Sequence, residues 1–103
     1  MSDLEATLAY QLTAVGIPFE REVKAIPGRK FSWDFKVDDL LIEIQGGIWM
    51  TKGAHNTGVA IIRDCEKMNL AVLHGYRLLS FTADMVTSGE ALAMIEKAIG
   101  ERK

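Results

Sequence analysis

The sequence has few of the features that mark membrane or secreted proteins. It contains one cysteine, Cys65, so no disulfide can form within its 103 residues. No apolar run approaches the roughly 18 residues of a membrane span, and no charged-then-apolar segment marks a secretory leader. We therefore expect a cytoplasmic protein that contacts no membrane. Cys65 falls on the apolar face of a predicted helix, and we expect it to be a buried thiol in a reducing compartment.

A strong charge of either sign is also missing. The formal net charge is −2 at pH 7. Because affinity for phosphates comes from clustered Lys and Arg, this value argues mildly against a nucleic-acid partner. Several cations nevertheless fall close together in the sequence, at Arg21, Lys24, Arg29, Lys30 and Lys36. The overall charge therefore leaves a nucleic-acid partner open.

Internal repeats, low-complexity tracts and linkers are absent as well. Apolar residues make up 49% of the chain and charged residues 25%, which is ordinary for a globular protein. A chain of this length has room for a single hydrophobic core. The composition therefore predicts one domain over residues 1–103.

The periodicity of apolar residues predicts the order α-β-β-β-α-β-α. The first helix opens with a Ser2–Glu5 capping box, and Gly16 suits its C-terminal end. Its apolar stripe is Leu4, Leu8, Leu12 and Val15. A strand over 19–26 ends at Pro27-Gly28, and a hairpin over 31–45 supplies two more strands.

The second half of the chain predicts a helix, a strand and a last helix. The helix over 58–74 has an apolar face of Ile61, Cys65, Met68 and Val72, and it ends at Gly75. Next to that glycine, His74 is expected to cap carbonyl groups. The strand YRLLSF follows, and Ser88 caps a last helix whose inward residues are Ala91, Ile95, Ala98 and Ile99. Since the middle helix can act as a crossover, the pattern predicts a mixed four-stranded sheet flanked by helices.

The hairpin carries the most informative polar residues of the chain. Trp33, Phe35 and Val37 alternate with polar residues, which predicts a half-buried strand and a core position for Trp33. If Asp38-Asp39 forms a two-residue turn, Val37 pairs with Leu40. The same register sets Asp34 opposite Glu43, and Gln45 lies on the face of Glu43.

Two carboxylates and an amide oxygen on one sheet face indicate a site for a hard cation such as Mg²⁺. Directly opposed like charges destabilise a strand pair, and a bound cation would relieve the repulsion between Asp34 and Glu43. The alternative is that both acids are solvent-facing polar residues of an amphipathic hairpin. A purely structural hairpin gains nothing from opposed acids, which favours the metal site.

An ordered set of motifs resembles a known group of nucleases. D-x8-E-x-Q followed by GG resembles the core of the PD-(D/E)XK nuclease superfamily, in which the last motif position is usually Lys. Downstream, a His, a helix with R-D-x-x-K-x-N and a strand with G-Y-R-L-L-S-F are similar to its small phage and bacterial branch. That branch lies near the very-short-patch-repair and Holliday-junction-resolvase-like enzymes. The resemblance covers about residues 4–99.

The resemblance implies a restriction-endonuclease-like α/β core and a Mg²⁺ site, where Mn²⁺ would substitute. It implies that Asp34, Glu43 and the carbonyl of Ile44 hold the metal. Gln45 replaces the usual Lys; it cannot accept a proton at neutral pH, but its amide can orient a water. The missing positive charge would then come from Lys36, Lys52 or Lys67.

The resemblance also assigns candidate roles in the site to other residues, and each of these roles has a structural alternative. Glu5 is either an additional acid or the capping-box acid of the first helix. His55 is either a metal, phosphate or general-acid residue or an ordinary surface residue. Lys67 either points at the scissile phosphate, anchors the DNA backbone, or pairs with Asp64 on a solvated helix face. Candidate nucleic-acid contacts are Arg29, Lys30, Lys36, Trp49, Lys52 and Arg63.

These expectations define two functions. The first is a Mg²⁺-dependent DNA endonuclease, phage or bacterial, that acts on branched, nicked or mismatched DNA in repair or recombination. Such an enzyme would work in the host cytoplasm and could form a homodimer. The second is a DNA-binding or assembly protein on the same fold, with its catalytic site degraded at Gln45. An RNA-directed nuclease would differ only in its substrate.

Overall fold

The computed structural model describes residues 3–45 and 58–101, and the side chains of all of these except residue 101. Some residues with predicted roles lie outside the described residues: Ser2, Gly46-Gly47, Trp49, Lys52 and His55. The described elements are α1 (Asp3–Ala14), β1 (Glu20–Val23), β2 (Trp33–Val37), β3 (Leu40–Gln45), α2 (Gly58–Leu73), β4 (Arg77–Thr82), α3 (Ala83–Thr87) and α4 (Glu90–Glu101). No described helix has the length and apolar character to cross a membrane.

The strands form a mixed four-stranded sheet in the order β1-β2-β3-β4. β1 and β2 are antiparallel, as are β2 and β3, whereas β4 runs parallel to β3 after the crossover through α2. The predicted fold class and order of elements are thereby confirmed. A short helix that the sequence did not predict, α3, separates β4 from the last helix; Thr82 caps its first turn by accepting a hydrogen bond from the Met85 N–H.

The hairpin between β2 and β3 has the predicted register. Val37 pairs with Leu40, Lys36 with Leu41, and Phe35 with Ile42. Asp38 in the turn has a φ of 59°, a left-handed value of the kind that two-residue hairpin turns require. A one-residue slip would exchange the two faces of both strands, so this turn determines which side chains share a face.

Helices cover both faces of the sheet. On one face, called here the packed face, α1, α3 and α4 enclose an apolar cluster whose fully buried members include Leu8, Phe35, Ile42 and Ile95. On the other, called the α2 face, a smaller cluster contains Ile26, Trp33, Leu41 and Ala71. The predicted core position of Trp33 is confirmed, since it is 2% exposed. It packs on the α2 face, however, although strict alternation would place it beside Phe35.

The ends of α1 and α2 follow the predicted capping chemistry. Gly16 has a φ of 78° and Gly75 a φ of 90°, the left-handed values expected just beyond a helix. The His74 ring lies 2.9 Å from the carbonyl oxygen of Leu70, which confirms its predicted capping contact. Val15 was placed in the apolar stripe of α1, but α1 ends at Ala14 and Val15 is 48% exposed.

The predicted apolar face of α2 is wrong in orientation. Ile61, Met68 and Val72 are 52%, 48% and 60% exposed, and Cys65 is an exposed thiol rather than a buried one. A second stripe with the same helical spacing faces the sheet instead, comprising Asp64, Lys67 and Ala71. α2 thus presents Lys67 to a carboxylate of the sheet, Glu43, and leaves its isoleucines exposed.

Candidate active site

Asp34 and Glu43 follow the last pair of the β2–β3 ladder, Phe35 with Ile42, and the charge of Asp34 acts on Glu43. Continuing the register beyond Phe35 and Ile42 sets Asp34 opposite Glu43 and would set Trp33 opposite Ile44. Instead, Asp34 Oδ2 accepts a hydrogen bond from the Ile44 N–H at 2.8 Å. The Asp34 carboxylate thus accepts from the Ile44 N–H in place of a backbone carbonyl of β2. This occurs next to Trp33, whose side chain packs on the α2 face. Asp34 therefore has a structural contact in addition to its candidate role as a ligand.

The same hydrogen bond fixes the direction of the Ile44 carbonyl. In a strand, the N–H and C=O of one residue point toward the same neighbouring strand. Because the Ile44 N–H points to Asp34, its carbonyl oxygen lies on the Asp34 side of β3. The predicted ligand set of Asp34, Glu43 and the Ile44 carbonyl thus shares one region of the molecule.

Lys67 reaches the site from α2. Its Nζ lies 3.0 Å from Glu43 Oε2 and 4.8 Å from the ring centroid of Trp33. The Lys67 side chain is 17% exposed, so the solvated helix face considered for it is wrong. The ammonium group neutralises Glu43 and also faces an aromatic ring, an arrangement that attracts cations. Sequence spacing indicated a partner on the helix, Asp64, and missed this partner on the sheet.

Burial raises the pKa of the Glu43 carboxyl group above its ordinary value of 4.5. The hydrogen bond and charge of Lys67 lower this pKa, whereas the negative charges of Asp34 and Asp64 raise it. Burial outweighs the lysine, so Glu43 holds a proton more readily than a free glutamate does. The Glu43 carboxyl group is thus under the influence of two other carboxylates and one ammonium group.

A cavity of about 290 Å³ opens beside Glu43 and Lys67. Its polar lining consists of Glu43, Gln45, Asp64, Lys67 and Ser80, and Trp33 forms part of its apolar wall. Gln45 is exposed, so its amide can contact a water or a ligand in this cavity. Asp64 and Ser80 had no predicted role in a site. The signals for Asp64 were its place in the R-D-x-x-K-x-N motif and its helical spacing from Lys67.

Glu5 lies on the other side of the sheet. Its Oε1 is 3.3 Å from Arg21 Nη2, and the Arg21 guanidinium lies 5.3 Å from the ring centroid of Phe35. Phe35 belongs to the packed face, whereas Glu43 faces α2. The structure therefore does not bring Glu5 together with Asp34 and Glu43.

The candidate nucleic-acid contacts divide into two groups. Lys36 lies 3.6 Å from Glu20 at the β1 edge of the hairpin. Arg29, Lys30 and Arg63 instead line a separate cavity beside the first half of α2. Trp49 and Lys52, like the candidate catalytic residue His55, lie outside the described residues.

Within the part of the chain that the structure describes, no group of three or more His, Cys, Asp or Glu side chains is placed to hold a metal. A dedicated all-protein cage is therefore absent from those residues. Mg²⁺ is commonly held by one or two carboxylates, with water and substrate phosphate completing its coordination. Asp34 and Glu43 match that requirement in number and in chemistry.

A solved structure shares this fold. The catalytic domain of the homing endonuclease I-Bth0305I matches with a TM-score of 0.66 and 22% sequence identity, over 91% of this chain and 90% of that one. At this identity the likeness establishes the fold. The sequence matches no protein-family model and no curated protein.

Proposed function

We propose that this protein is a Mg²⁺-dependent endonuclease that hydrolyses phosphodiester bonds in DNA, with Asp34, Glu43 and Lys67 at its active centre. The observation that carries the proposal is the contact between Lys67 and Glu43 in the lining of a cavity. Asp34 is close enough for its charge to raise the pKa of Glu43. The shared fold with a homing endonuclease catalytic domain supports a nuclease. The ordered motifs of the PD-(D/E)XK superfamily support the same reaction class.

The residues present fit Mg²⁺. The Asp34 and Glu43 carboxylates and the Ile44 carbonyl would supply hard oxygen ligands. Lys67 neutralises Glu43 in the structure, so its ammonium group would have to leave Glu43 Oε2 for Mg²⁺ to bind that oxygen. Bound Mg²⁺ would supply an activated water and neutralise charge that develops on the phosphate.

The chain's own residues would orient and stabilise the reacting groups. Lys67, with its ammonium group at the cavity, would donate to a phosphate oxygen and so replace the charge that the motif usually has at Gln45. The Gln45 amide would orient the attacking water. Trp33 would limit access of bulk solvent to the ammonium group, which strengthens its electrostatic effect.

The substrate and assembly belong to the proposal as well. The motifs favour branched, nicked or mismatched DNA, and a homodimer would present one site to each strand. Light scattering at micromolar concentration would test the dimer. Cleavage of a four-way junction compared with a matched linear duplex would test the preference for branches.

A second function is a DNA-binding or assembly protein that no longer cleaves. The observation that favours it is Gln45, which has no charge and cannot act as a base at neutral pH. The two functions differ in one outcome, the breakage of the DNA chain.

Nicking of supercoiled plasmid distinguishes them. We expect nicks with Mg²⁺ or Mn²⁺, none with EDTA, and none with Asp34→Asn or Glu43→Gln. Glu96→Gln, a change at an exposed position of α4, provides a matched control for Glu43→Gln and should cleave like the wild type. If the wild type binds plasmid and leaves it intact with both metals, the non-cleaving function is correct.

A further inference from the structure

A basic groove lies beside the candidate active site, on the same face of the sheet. Its cavity measures about 480 Å³ and is lined by Gly28, Arg29, Lys30, Phe31, Arg63 and Glu66. Three of these side chains are cationic and one is anionic. The groove is therefore locally positive, although the protein as a whole has a net charge of −2.

The groove and the active-site cavity share their supporting elements. Arg63 and Lys67 are four residues apart on α2, and hence one turn or about 6 Å apart along the helix axis. Phe31 and Trp33 pack in the same apolar cluster, with Phe31 toward the groove and Trp33 toward the active-site cavity. About 6 Å corresponds to roughly two steps of a DNA strand along the duplex axis.

Glu66 occupies the place in the groove that an anion would take. Its Oε2 lies 2.8 Å from Arg29 Nη2, and the Arg29 guanidinium lies 4.7 Å from the ring centroid of Phe31. The aromatic contact holds the guanidinium group in position. The Glu66 side chain is 47% exposed, so its carboxylate can move aside for a competing anion.

We propose that this groove binds the DNA backbone phosphates about two nucleotides from the scissile bond, and that Glu66 competes with them for Arg29. This inference rests on the proposed function, which supplies the substrate. Arg29 and Arg63 would contact phosphate, and Lys30 would add charge at the rim. Phosphate contacts position a nucleic acid without reading its sequence, so the groove would set the register of the strand over Lys67 and Glu43.

The carboxylate of Glu66 distinguishes a phosphate groove from a surface ion pair. If Glu66 competes with phosphate, Glu66→Gln should tighten DNA binding about two- to fivefold, the range expected for releasing an exposed ion pair. If the pair is only a surface contact, the variant should match Glu96→Gln. That control makes the same change in net charge at an exposed position of α4, a helix that covers the opposite face of the sheet.

The experiment measures binding and cleavage on the same preparations. Fluorescence anisotropy in EDTA, over a salt series, gives the affinity of a labelled duplex and its salt slope. Arg63→Ala should weaken binding and reduce the slope by about one unit, because one phosphate contact is lost. Lys97→Ala on α4 removes the same charge far from the groove and should leave the slope unchanged. Circular dichroism confirms that each variant is folded.

Failure of the inference can be told apart from failure of the proposed function. If Arg63→Ala and Glu66→Gln both behave like their α4 controls while the wild type cleaves DNA, the groove proposal is wrong and the nuclease stands. If the wild type binds without cleaving and both variants shift as stated, the groove binds phosphates, but the nuclease and the groove's position relative to a scissile bond are wrong. A wild type that neither binds nor cleaves contradicts both.

Discussion

The two faces of the sheet differ in what their side chains contact. On the packed face, Phe35, Ile42 and Phe81 are almost completely buried among the aliphatic residues of three helices. On the α2 face, the neighbouring residue Glu43 holds a half-buried charge against Lys67. Partial burial of a charge lowers stability unless a partner compensates for it. The packed face thus accounts for the fold, and the α2 face retains an arrangement that folding alone does not require.

The largest effect that this comparison predicts is a loss of cleavage without a loss of fold. Asp34→Asn and Glu43→Gln should each abolish cleavage and the stabilisation by Mg²⁺, while the melting temperature in EDTA holds or rises. In the Asp34→Asn variant, the side-chain amide oxygen can still accept from the Ile44 N–H. Asp34→Ala should therefore be less stable than Asp34→Asn, by about 1 kcal/mol. Wild-type cleavage by either conservative variant, or its unfolding, would overturn the assignment.

A change on the packed face should have the opposite result. Phe35→Ala removes a fully buried ring and should lower the free energy of unfolding by about 3–5 kcal/mol. Urea unfolding measures this loss. Any variant molecules that stay folded should keep Mg²⁺-induced stabilisation, since Phe35 faces away from Glu43. A cost below about 1 kcal/mol would mean that the cluster on this face does not determine stability.

Lys67 has both a structural and a proposed catalytic role. It compensates the charge of Glu43, and it is proposed to act on a phosphate of the substrate. Lys67→Ala should reduce the single-turnover cleavage rate at saturating DNA by about 10²- to 10³-fold. Loss of the ammonium group should also raise the pKa of Glu43 further, which moves the acid limb of the rate profile to higher pH.

The salt series used for the groove separates the other roles of Lys67. If Lys67 only anchors the DNA backbone, the salt slope should fall by about one unit and the saturated rate should stay at its wild-type value. If the salt slope and the saturated rate both stay at wild-type values, the role of Lys67 is limited to its ion pair with Glu43.

Gln45 tests whether the cavity accepts the residue that is usual in the superfamily. Gln45→Lys should retain or increase the cleavage rate, and Gln45→Ala should lower it by about 10- to 1,000-fold. Single-turnover kinetics at saturating DNA measures both. An inactive Lys variant beside a fully active Ala variant would remove Gln45 from the site.

The smallest predicted effect is a dependence of stability on pH. Because folding raises the pKa of Glu43, the folded state binds its proton more tightly than the unfolded state does. The contribution of Glu43 to stability should therefore rise as pH falls from neutral through the raised pKa, and level off below about 4.5. The difference in unfolding free energy between the wild type and Glu43→Gln isolates this contribution. A difference that is constant with pH would show that Glu43 titrates normally.

The sequence predicted the part of the site that strand register controls. A two-residue turn at Asp38-Asp39 leaves one pairing of the hairpin, and the structure has that pairing from Val37–Leu40 to Phe35–Ile42. Its continuation sets Asp34 opposite Glu43. The mixed sheet and the crossover followed from the same pattern of elements.

The orientation of α2 could not be predicted in the same way. Two stripes of this helix have helical spacing, and hydrophobicity favours the one with Ile61 and Met68. In the structure, Lys67 of α2 faces a charge in another element, Glu43, which lies 24 residues away in the sequence. Local periodicity contains no information about such a pairing. For the same reason, alternation could not show that Trp33 leaves the face of Phe35.

Anomalous diffraction from crystals soaked in Mn²⁺ tests the central claim most directly. The claim predicts a single strong peak between the Asp34 and Glu43 carboxylates, at about 2.0–2.2 Å from the nearest oxygen of each, and its disappearance in Asp34→Asn crystals. Displacement of the Lys67 ammonium group from Glu43 Oε2 would agree with this result. A saturating soak that leaves the Lys67–Glu43 contact intact and places no peak beside Asp34 would contradict the claim.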